Sequence, residues 1–267
     1  MTPLVAGPWI GEFGWELMSW QGALRVIAES REVIVCCKRG HSFLYSDFTK
    51  RFVEHDLDIV RPDCWGGKAV DQSAYYLLVA ELTRLGVLIR PSGLITMDLQ
   101  KFIRYGMPDR TPENRFDVIM HARAPLNDPK RAWPAEKWEE LTELLMDHNV
   151  KMASVGTQAY YPKITADLRN IPLNDLMDLF AGAKLAIGPS SGPMHLASLC
   201  GTEHIVWTDN KYWSAIKMNN RTRYESAWNP LKTPCIVVDQ YGWDPPVAAI
   251  ASLVLKRLDE WSNKSKS

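Results

Sequence analysis

Residues 185–201 combine an apolar strand, a turn of small residues and a helix, an arrangement that predicts an anion-binding site. The hydroxyls of Ser190 and Ser191 can cap this helix, and Pro193 suits its first turn. The first N–H groups of a helix have no acceptor within it, so they suit a diphosphate. Turns of this kind are common in α/β proteins, and a purely structural turn is the alternative. The residues expected to hold the diphosphate are Ser190, Ser191, Gly192, Pro193, Met194 and His195.

The residue order here resembles the nucleotide-sugar loop of the ADP-heptose lipopolysaccharide heptosyltransferases, which are GT-B glycosyltransferases of family 9. S-G-P-M-H-L-A-x-L-x-G-T, from Ser191 to Thr202, is similar to the family's D-S/T-G-x-x-H-L-A. Upstream, residues 121–124 and 130–141 resemble the family's first nucleotide-domain strand and its K-x-W-P-x-E-x-W-x-x-L motif. The resemblance covers residues 115–210 and reaches the amino-terminal half through one short motif. Ser190 stands where the family has an acidic residue, which leaves the donor sugar open.

A second strand-to-helix turn, near the amino terminus, contains two glycines and two carboxylates. Glycine lets the backbone approach a ligand closely, although the spacing is not G-x-G-x-x-G. Gly11-Glu12 resembles the family's G-D pair, whose aspartate is the catalytic base, so the resemblance implies Glu12 as the base. The alternative is that Glu12 or Glu16 only complements the positive end of the following helix, and for Glu16 this alternative is favoured. The expected acceptor-side loop consists of Gly11, Phe13, Gly14, Trp15 and Glu16.

An inverting transfer requires one proton to be removed and two developing negative charges to be stabilised. The resemblance assigns the proton to Glu12 and the diphosphate to the helix start at residues 191–195. The family's phosphate-binding lysine falls at Arg131, with Lys130 adjacent, and arginine adds bidentate contact. The chain is therefore expected to be an inverting, metal-independent glycosyltransferase, with a nucleoside-diphosphate sugar as co-substrate.

Other polar residues are weaker candidates for ligand contacts. His195 could hydrogen-bond a phosphate or the donor sugar, with a core histidine as the alternative. Gly156, Thr157 and Gln158 follow a predicted strand where the family contacts the nucleoside, and Asp209 is weaker still. The sequence has no D-x-D motif, and its six histidines lack metal-binding spacing. No metal or resident cofactor is expected.

Composition limits the class of protein. The 267 residues are 46% hydrophobic, which suffices for a large core, and Lys plus Arg equal Asp plus Glu at 31 each, so no overall charge attracts nucleic acid or membrane. Five cysteines without a C-x-x-C pair favour reduced thiols. No apolar run approaches the length of about 18 residues that would span a bilayer, and no signal peptide is indicated. A cytoplasmic protein is expected.

Alternating apolar runs and helical patterns predict an α/β protein built of parallel βα units. The resemblance implies the GT-B plan, with two Rossmann-like parallel-sheet halves facing a cleft. The expected domains are residues 1–106 on the acceptor side and 115–244 on the nucleotide-sugar side, joined by a polar linker at 106–114. An apolar helix at 245–262 should dock on the second sheet, with membrane contact as the alternative. Strands are expected at Leu4–Ile10, Glu32–Cys37, Asp58–Arg61, Val87–Ile89, Phe116–His121, Lys151–Val155, Leu185–Ile187, His204–Trp207 and Cys235–Val238. Helices are expected at Trp15–Ala28, Phe43–Phe52, Asp71–Leu85, Asp98–Tyr105, Ala135–Asp147, Leu173–Gly182, Pro193–Cys200 and Pro246–Trp261.

The partners expected are a nucleotide-sugar donor and a saccharide acceptor, and two alternatives stay open. The acceptor could instead be a hydroxymethylated DNA base, which requires a basic groove and steeply salt-dependent activity. The chain could also be a sugar-nucleotide-binding protein without catalytic activity. The cations proposed for a basic groove are Arg25, Lys38, Arg39, Lys50 and Arg51.

Overall fold

The computed structural model describes residues 2–59, 68–91, 99–107, 115–124, 129–157, 159–214 and 217–264. The chain forms two compact units, Met1–Phe102 and Ile103–Ser267. Within the described residues, each unit is built on a parallel sheet with helices between its strands, so the predicted α/β class is confirmed.

The sheet of the first unit has the order β3-β2-β1-β4 in the described part of the chain, and all its pairs are parallel. Its strands are β1 Leu4–Ala6, β2 Val33–Lys38, β3 Phe52–His55 and β4 Val87–Ile89. Its helical segments are α1 Phe13–Trp15, a π-helix Glu16–Trp20, α2 Gln21–Ala28, a 3₁₀ turn Ser42–Leu44 and α3 Gln72–Leu85. Since β1 has β2 on one side and β4 on the other, the chain order reverses beside β1. In open α/β sheets ligands bind at the carboxyl ends of the strands at this point, which is where residues 7–12 leave β1.

The main sheet of the second unit has the order β12-β9-β8-β5-β6-β7 among the described residues, again with parallel pairs. Its strands are β5 Val118–Met120, β6 Met152–Ser154, β7 Ala166–Asp167, β8 Leu185–Pro189, β9 His204–Trp207 and β12 Cys235–Val238. A separate antiparallel hairpin joins β10 Tyr212–Trp213 to β11 Met218–Asn219. The helices are a 3₁₀ turn Pro129–Arg131, α4 Ala135–Asp147, α5 Leu173–Gly182, α6 Gly192–Cys200, α7 Asn220–Ser226 and α8 Val247–Lys264.

The core of the second unit lies between its sheet and helices α4 and α8. Strands β5, β6, β8 and β9 are buried along their whole length, as apolar runs in a parallel sheet should be. Trp133, Trp138 and Trp207 pack together with ring centroids 5.0–5.5 Å apart. Ile250 and Val254 bring the apolar face of α8 into the same core, which is the docking expected for this helix. Among the described helices, none combines the length and apolar character needed to cross a bilayer.

Three predicted elements are wrong. Residues 43–52 form a short 3₁₀ turn and irregular chain instead of a helix, and the strand expected at 58–61 lies earlier, at Phe52–His55. Pairing with β2 decides this, since Val35 registers with Phe52 and Thr49 donates from its hydroxyl to the Val33 carbonyl. The helix expected at 98–105 is absent from residues 100–105. Here the Lys101 N–H donates to the Gly22 carbonyl instead of to its own segment. Residues 60–61 and 98 lie outside the described residues.

The boundary between the units falls at Phe102, before the predicted linker. Tyr105 N–H donates to the Leu199 carbonyl, and Arg104 donates to the carbonyls of Cys200 and Gly201 at 3.2 and 3.1 Å. These contacts hold residues 103–107 to the second unit through partners almost a hundred positions away, which a local pattern could not indicate. Residues 108–114 of the predicted linker lie outside the described residues.

Candidate functional site

Three of the predicted segments meet at the carboxyl edge of the second sheet. The chain order reverses beside β5, which lies between β6 and β8. His121 follows β5, Gly156 follows β6 and Ser190 follows β8. The three segments pack closely against one another at His121. A Cβ atom on Gly156 would lie 2.7 Å from His121 Nδ1, and one on Gly188 would lie 2.9 Å from the His121 carbonyl oxygen. The edge at which the reversal occurs is the usual ligand position in such sheets.

Helix α6 begins at this edge, directly after Ser191. Ser191 occupies the N-cap position with extended backbone angles, and Pro193 lies in the first turn as predicted. The prediction that the Ser191 hydroxyl caps the helix is wrong, since its side chain makes no capping hydrogen bond. Its Oγ is buried and has no hydrogen-bond partner among the described residues. Gly192 opens the helix, and the Met194 side chain is fully buried.

His195 lies one turn into α6 and is also buried with an unpaired polar atom, Nδ1. Its ring packs against Trp228 and Tyr224, with centroids 4.9 and 5.5 Å away. Burial, followed by electrostatic interactions with Arg131, His204 and Arg223, lowers the pKa of His195 well below its usual 6.5. The imidazole is therefore neutral near pH 7 and acts as a hydrogen-bonding group instead of a cation.

Of the two predicted phosphate-binding cations, Arg131 is the one joined to the end of β8. Its Nη2 donates to the Ser190 carbonyl at 2.5 Å, and its guanidinium lies 4.6 Å from the ring centroid of Trp243. Lys130 is exposed. Because Ser190 lies two residues before the first residue of α6, this contact places a permanent positive charge near the start of the helix.

The predicted nucleoside segment follows β6. Gly156 has φ +122, which favours glycine, and its carbonyl accepts from Asn170 N–H. Thr157 is exposed, and Gln158 lies outside the described residues. Below this turn, the buried His121 ring contacts the Val155 carbonyl through Nδ1 at 3.1 Å, and burial lowers the pKa of His121 to about 4.

In the first unit, Glu12 lies on the loop that follows β1. It is the N-cap residue of α1 and is partly buried, and its side chain makes no capping hydrogen bond. Its backbone carbonyl accepts from the N–H groups of Trp15 and Glu16, both at 3.1 Å. The Glu12 carboxylate therefore forms no capping hydrogen bond with the start of α1. Gly11 and Trp15 are partly buried on the same segment, and Gly14 is buried.

Glu16 has internal partners. Its Oε2 lies 2.7 Å from His41 Nδ1, and its Oε1 accepts from the Tyr45 hydroxyl at 2.7 Å. Phe13 packs edge-on against the His41 ring at 5.4 Å. Burial acts to lower the pKa of His41, but the charge and hydrogen bond of Glu16 outweigh it and raise this pKa above 6.5. Glu16 therefore stabilises the loop structure around Glu12. The expectation that Glu16 only complements the positive end of the following helix did not include these side-chain contacts.

The cations proposed for a nucleic-acid groove are mostly engaged within the first unit. Arg25 is buried and Lys38 is exposed. Four of the five make side-chain contacts, Arg25 with Asp47, Arg39 with Asp56, Arg51 with Glu32 and Lys50 with the Ser46 carbonyl. The DNA-base acceptor therefore gains no support from these residues.

The segment 209–228 contributes contacts that the sequence did not predict. Arg223 lies over Trp228, its Cζ 4.0 Å from the ring centroid, and Trp228 in turn contacts His195. Trp213 Nε1 donates to Asn220 Oδ1 at 2.6 Å. No periodicity marks these residues, and their only signal is a high density of aromatic and cationic side chains. Within the described ranges, His, Cys, Asp and Glu side chains form no group of three suited to a metal ion.

Comparison with known proteins agrees with this architecture. Residues 109–222 match the sequence model of glycosyltransferase family 9 (heptosyltransferase). The E. coli heptosyltransferase WaaC with ADP is similar in structure, with TM-score 0.60 and 11% identity, covering 96% of this chain and 100% of that one. E. coli ADP-heptose lps heptosyltransferase II gives TM-score 0.54 and 15% identity over 100% of both chains. At these identities the structures establish the fold alone, and no curated protein matches the sequence. Residues 109–222 are thus similar to glycosyltransferase family 9, and the fold of the chain is that of the GT-B heptosyltransferases it resembles.

Proposed function

We propose that the chain transfers a sugar, with inversion, from a nucleoside-diphosphate sugar to a hydroxyl of a saccharide acceptor. The observation that carries this proposal is the pair of buried polar atoms without partners at the start of α6, Ser191 Oγ and His195 Nδ1. Leaving a buried polar atom unpaired costs about 1–3 kcal/mol, and a ligand bound at this edge would remove that cost. The diphosphate of the donor supplies oxygens able to satisfy both.

Charge at this edge also suits a departing diphosphate. The start of α6 carries the positive end of the helix dipole, and Arg131 adds a full positive charge. Both are fixed before the reaction, so they stabilise the charge that develops as the bond to the sugar breaks. These groups provide the neutralisation that a metal ion would otherwise supply, and the proposal needs no resident metal or cofactor.

The nucleoside and the acceptor hydroxyl are assigned to two further segments, one in each unit. Gly156, Thr157 and Gln158, at the end of β6, are proposed to contact the nucleoside. In the first unit, Glu12 is proposed to take the proton of the acceptor hydroxyl, since its carboxylate follows β1 at the edge where that sheet's chain order reverses. The cytoplasm is the compartment that the cysteine composition favours.

The test begins with binding of ADP, GDP, UDP and dTDP, measured by thermal shift, because a ligand of the native state raises Tm. Transfer is then assayed with sugar conjugates of the nucleotide that binds, and the anomeric configuration of the product is read by NMR. Glu12→Gln is expected to lower kcat by about 10²–10⁴-fold, with affinity for the diphosphate unchanged.

Glu32→Gln is the control, because this exposed carboxylate only pairs with Arg51. Activity of Glu12→Gln equal to that of the control would exclude Glu12 as the base. A wild-type protein that binds none of the four nucleotides would contradict the proposed function itself.

A further inference from the structure

The end of β9 lies beside the proposed diphosphate site. Pro189 of β8 registers with Trp207 of β9, and the Ser190 N–H donates to the Trp207 carbonyl at 2.9 Å. Thr208 and Asp209 therefore leave the sheet alongside Ser190 and Ser191. Thr208 is 1% exposed, and its hydroxyl has no hydrogen-bond partner within the part of the chain that the structure describes. The Thr208 hydroxyl is thus a second buried hydroxyl, besides the Ser191 hydroxyl, that lacks a hydrogen-bond partner among the described residues at this edge of the sheet.

Asp209 follows directly and is only partly buried. Its Oδ1 accepts from Asn220 Nδ2 at 2.5 Å, which fixes the carboxylate against α7. Its other oxygen, Oδ2, has no hydrogen-bond partner among the described residues. An ionised carboxylate only accepts hydrogen bonds, so Oδ2 suits a ligand that presents hydroxyl donors.

Trp213 extends the same hydrogen-bonded chain. Its indole N–H donates to Asn220 Oδ1 at 2.6 Å, so one amide side chain holds both the indole and the Asp209 carboxylate. The Lys211 ammonium lies 4.3 Å from the ring centroid. With its polar atom satisfied and its position held, Trp213 still exposes 38% of its surface. Arg223 Cζ lies 5.5 Å from the same centroid, so the apolar surface that the fixed indole offers to a ligand is the exposed part that these two cations leave uncovered.

We propose that Asp209 and Trp213 form the subsite that recognises the sugar of the donor. Asp209 Oδ2 accepts hydrogen bonds from sugar hydroxyls, the Thr208 hydroxyl contacts the same ring or the adjoining phosphate, and Trp213 packs on the C–H face of the sugar. This inference rests on the proposed function, since the sugar reaches this position only when the diphosphate binds at α6. If the hydrogen bonds among Asp209, Asn220 and Trp213 served only to hold the hairpin in place, these residues would not distinguish a nucleotide sugar from its diphosphate.

The test compares affinity for the nucleotide sugar with affinity for the nucleoside diphosphate alone. Calorimetry on the full chain measures affinities for UDP, GDP, ADP and dTDP, and for UDP-glucose, GDP-mannose, ADP-heptose and dTDP-rhamnose. In Asp209→Asn, affinity for the sugar conjugate is expected to fall about tenfold, with affinity for the matching diphosphate within twofold of wild type. Trp213→Leu is a second variant that leaves Asp209 in place, and the same selective loss is expected. Glu225→Gln, in the exposed part of α7, is the matched control and should change neither affinity.

Tm is measured for each variant to separate binding from folding. Equal losses for diphosphate and conjugate, or no loss for either in both variants, would overturn the sugar assignment while leaving the diphosphate site intact. Failure of wild type to bind any diphosphate or conjugate would instead overturn the proposed function, and this inference with it.

Discussion

Ser191, His195 and Thr208 share one property at the residue scale, a buried polar atom without a hydrogen-bond partner among the described residues. Native proteins pair nearly all such atoms, and the proposed diphosphate and sugar would supply partners for these three. His195 fits this interpretation because burial keeps it neutral, and a neutral imidazole donates or accepts without adding a charge of its own. Glu16 is the contrasting case, since both its oxygens have protein partners, His41 and Tyr45.

Ser191→Ala tests the interpretation of the unpaired hydroxyl. Removing a buried group that has no partner should leave the free energy of unfolding unchanged or raise it by up to about 1 kcal/mol, whereas affinity for the diphosphate should fall about tenfold. Urea unfolding and calorimetry measure the two quantities. Ser226→Ala, whose hydroxyl bonds to the Thr222 carbonyl in α7, is the control for loss of a serine hydroxyl. A large loss of stability in Ser191→Ala would mean that the hydroxyl is satisfied within the protein.

At the element scale, the turns at the carboxyl ends of the strands carry the chemistry and the strands only position them. Helices α4 and α5 have the bounds that their apolar spacing predicted, because each starts after a proline and packs one face on the sheet. Strand β3 was misplaced because its residues 52–55 pair with a neighbour that only the fold brings close. The hairpin β10–β11 and helix α7 were missed because no apolar periodicity marks their residues.

Gly156→Ala tests how tightly the turn after β6 is packed. The new Cβ would lie 2.7 Å from His121 Nδ1 at a positive φ, so the free energy of unfolding should fall by about 2–4 kcal/mol, with weaker nucleotide binding. Gly242→Ala is the matched control, since Gly242 also has positive φ but a Cβ there would meet no atom within 4 Å. It should lose only about 1 kcal/mol, from the backbone alone. Equal losses in urea unfolding would contradict close packing against His121.

At the scale of the whole molecule, the second unit contains three buried histidines held neutral. Burial lowers the pKa of His121 and of His204 to about 4, and that of His195 well below 6.5. Below pH 6.5 the unfolded chain binds protons at these positions and the native unit does not. Their contribution to stability is therefore complete above pH 6.5 and is lost as the pH falls towards about 4.

The expected result is a second unit that weakens steeply in mild acid. His204 should contribute about 2 kcal/mol to the loss between pH 7 and 5. Urea unfolding at several pH values measures the slope, and His204→Phe should reduce it. His148→Gln, at the exposed end of α4, is the control and should leave the slope unchanged. A slope identical in wild type and His204→Phe would show that His204 is not a buried neutral group in the folded chain.

The sequence by itself determined the α/β class, most strands and helices of the second unit, and the strand-turn-helix at residues 185–200, because these follow from local spacing of apolar and small residues. The motif at residues 130–141 also indicated Arg131 as the expected phosphate-binding cation, because the spacing of that motif is fixed. Only the tertiary structure decided that Ser191 leaves its hydroxyl unpaired, that Glu16 is bound by His41, and that Asn220 joins Asp209 to Trp213. The physical reason is that hydrogen-bond partners and burial depend on which strands meet at a sheet edge. The residues that meet there are separated in sequence, and nothing in the local pattern of either one indicates the contact.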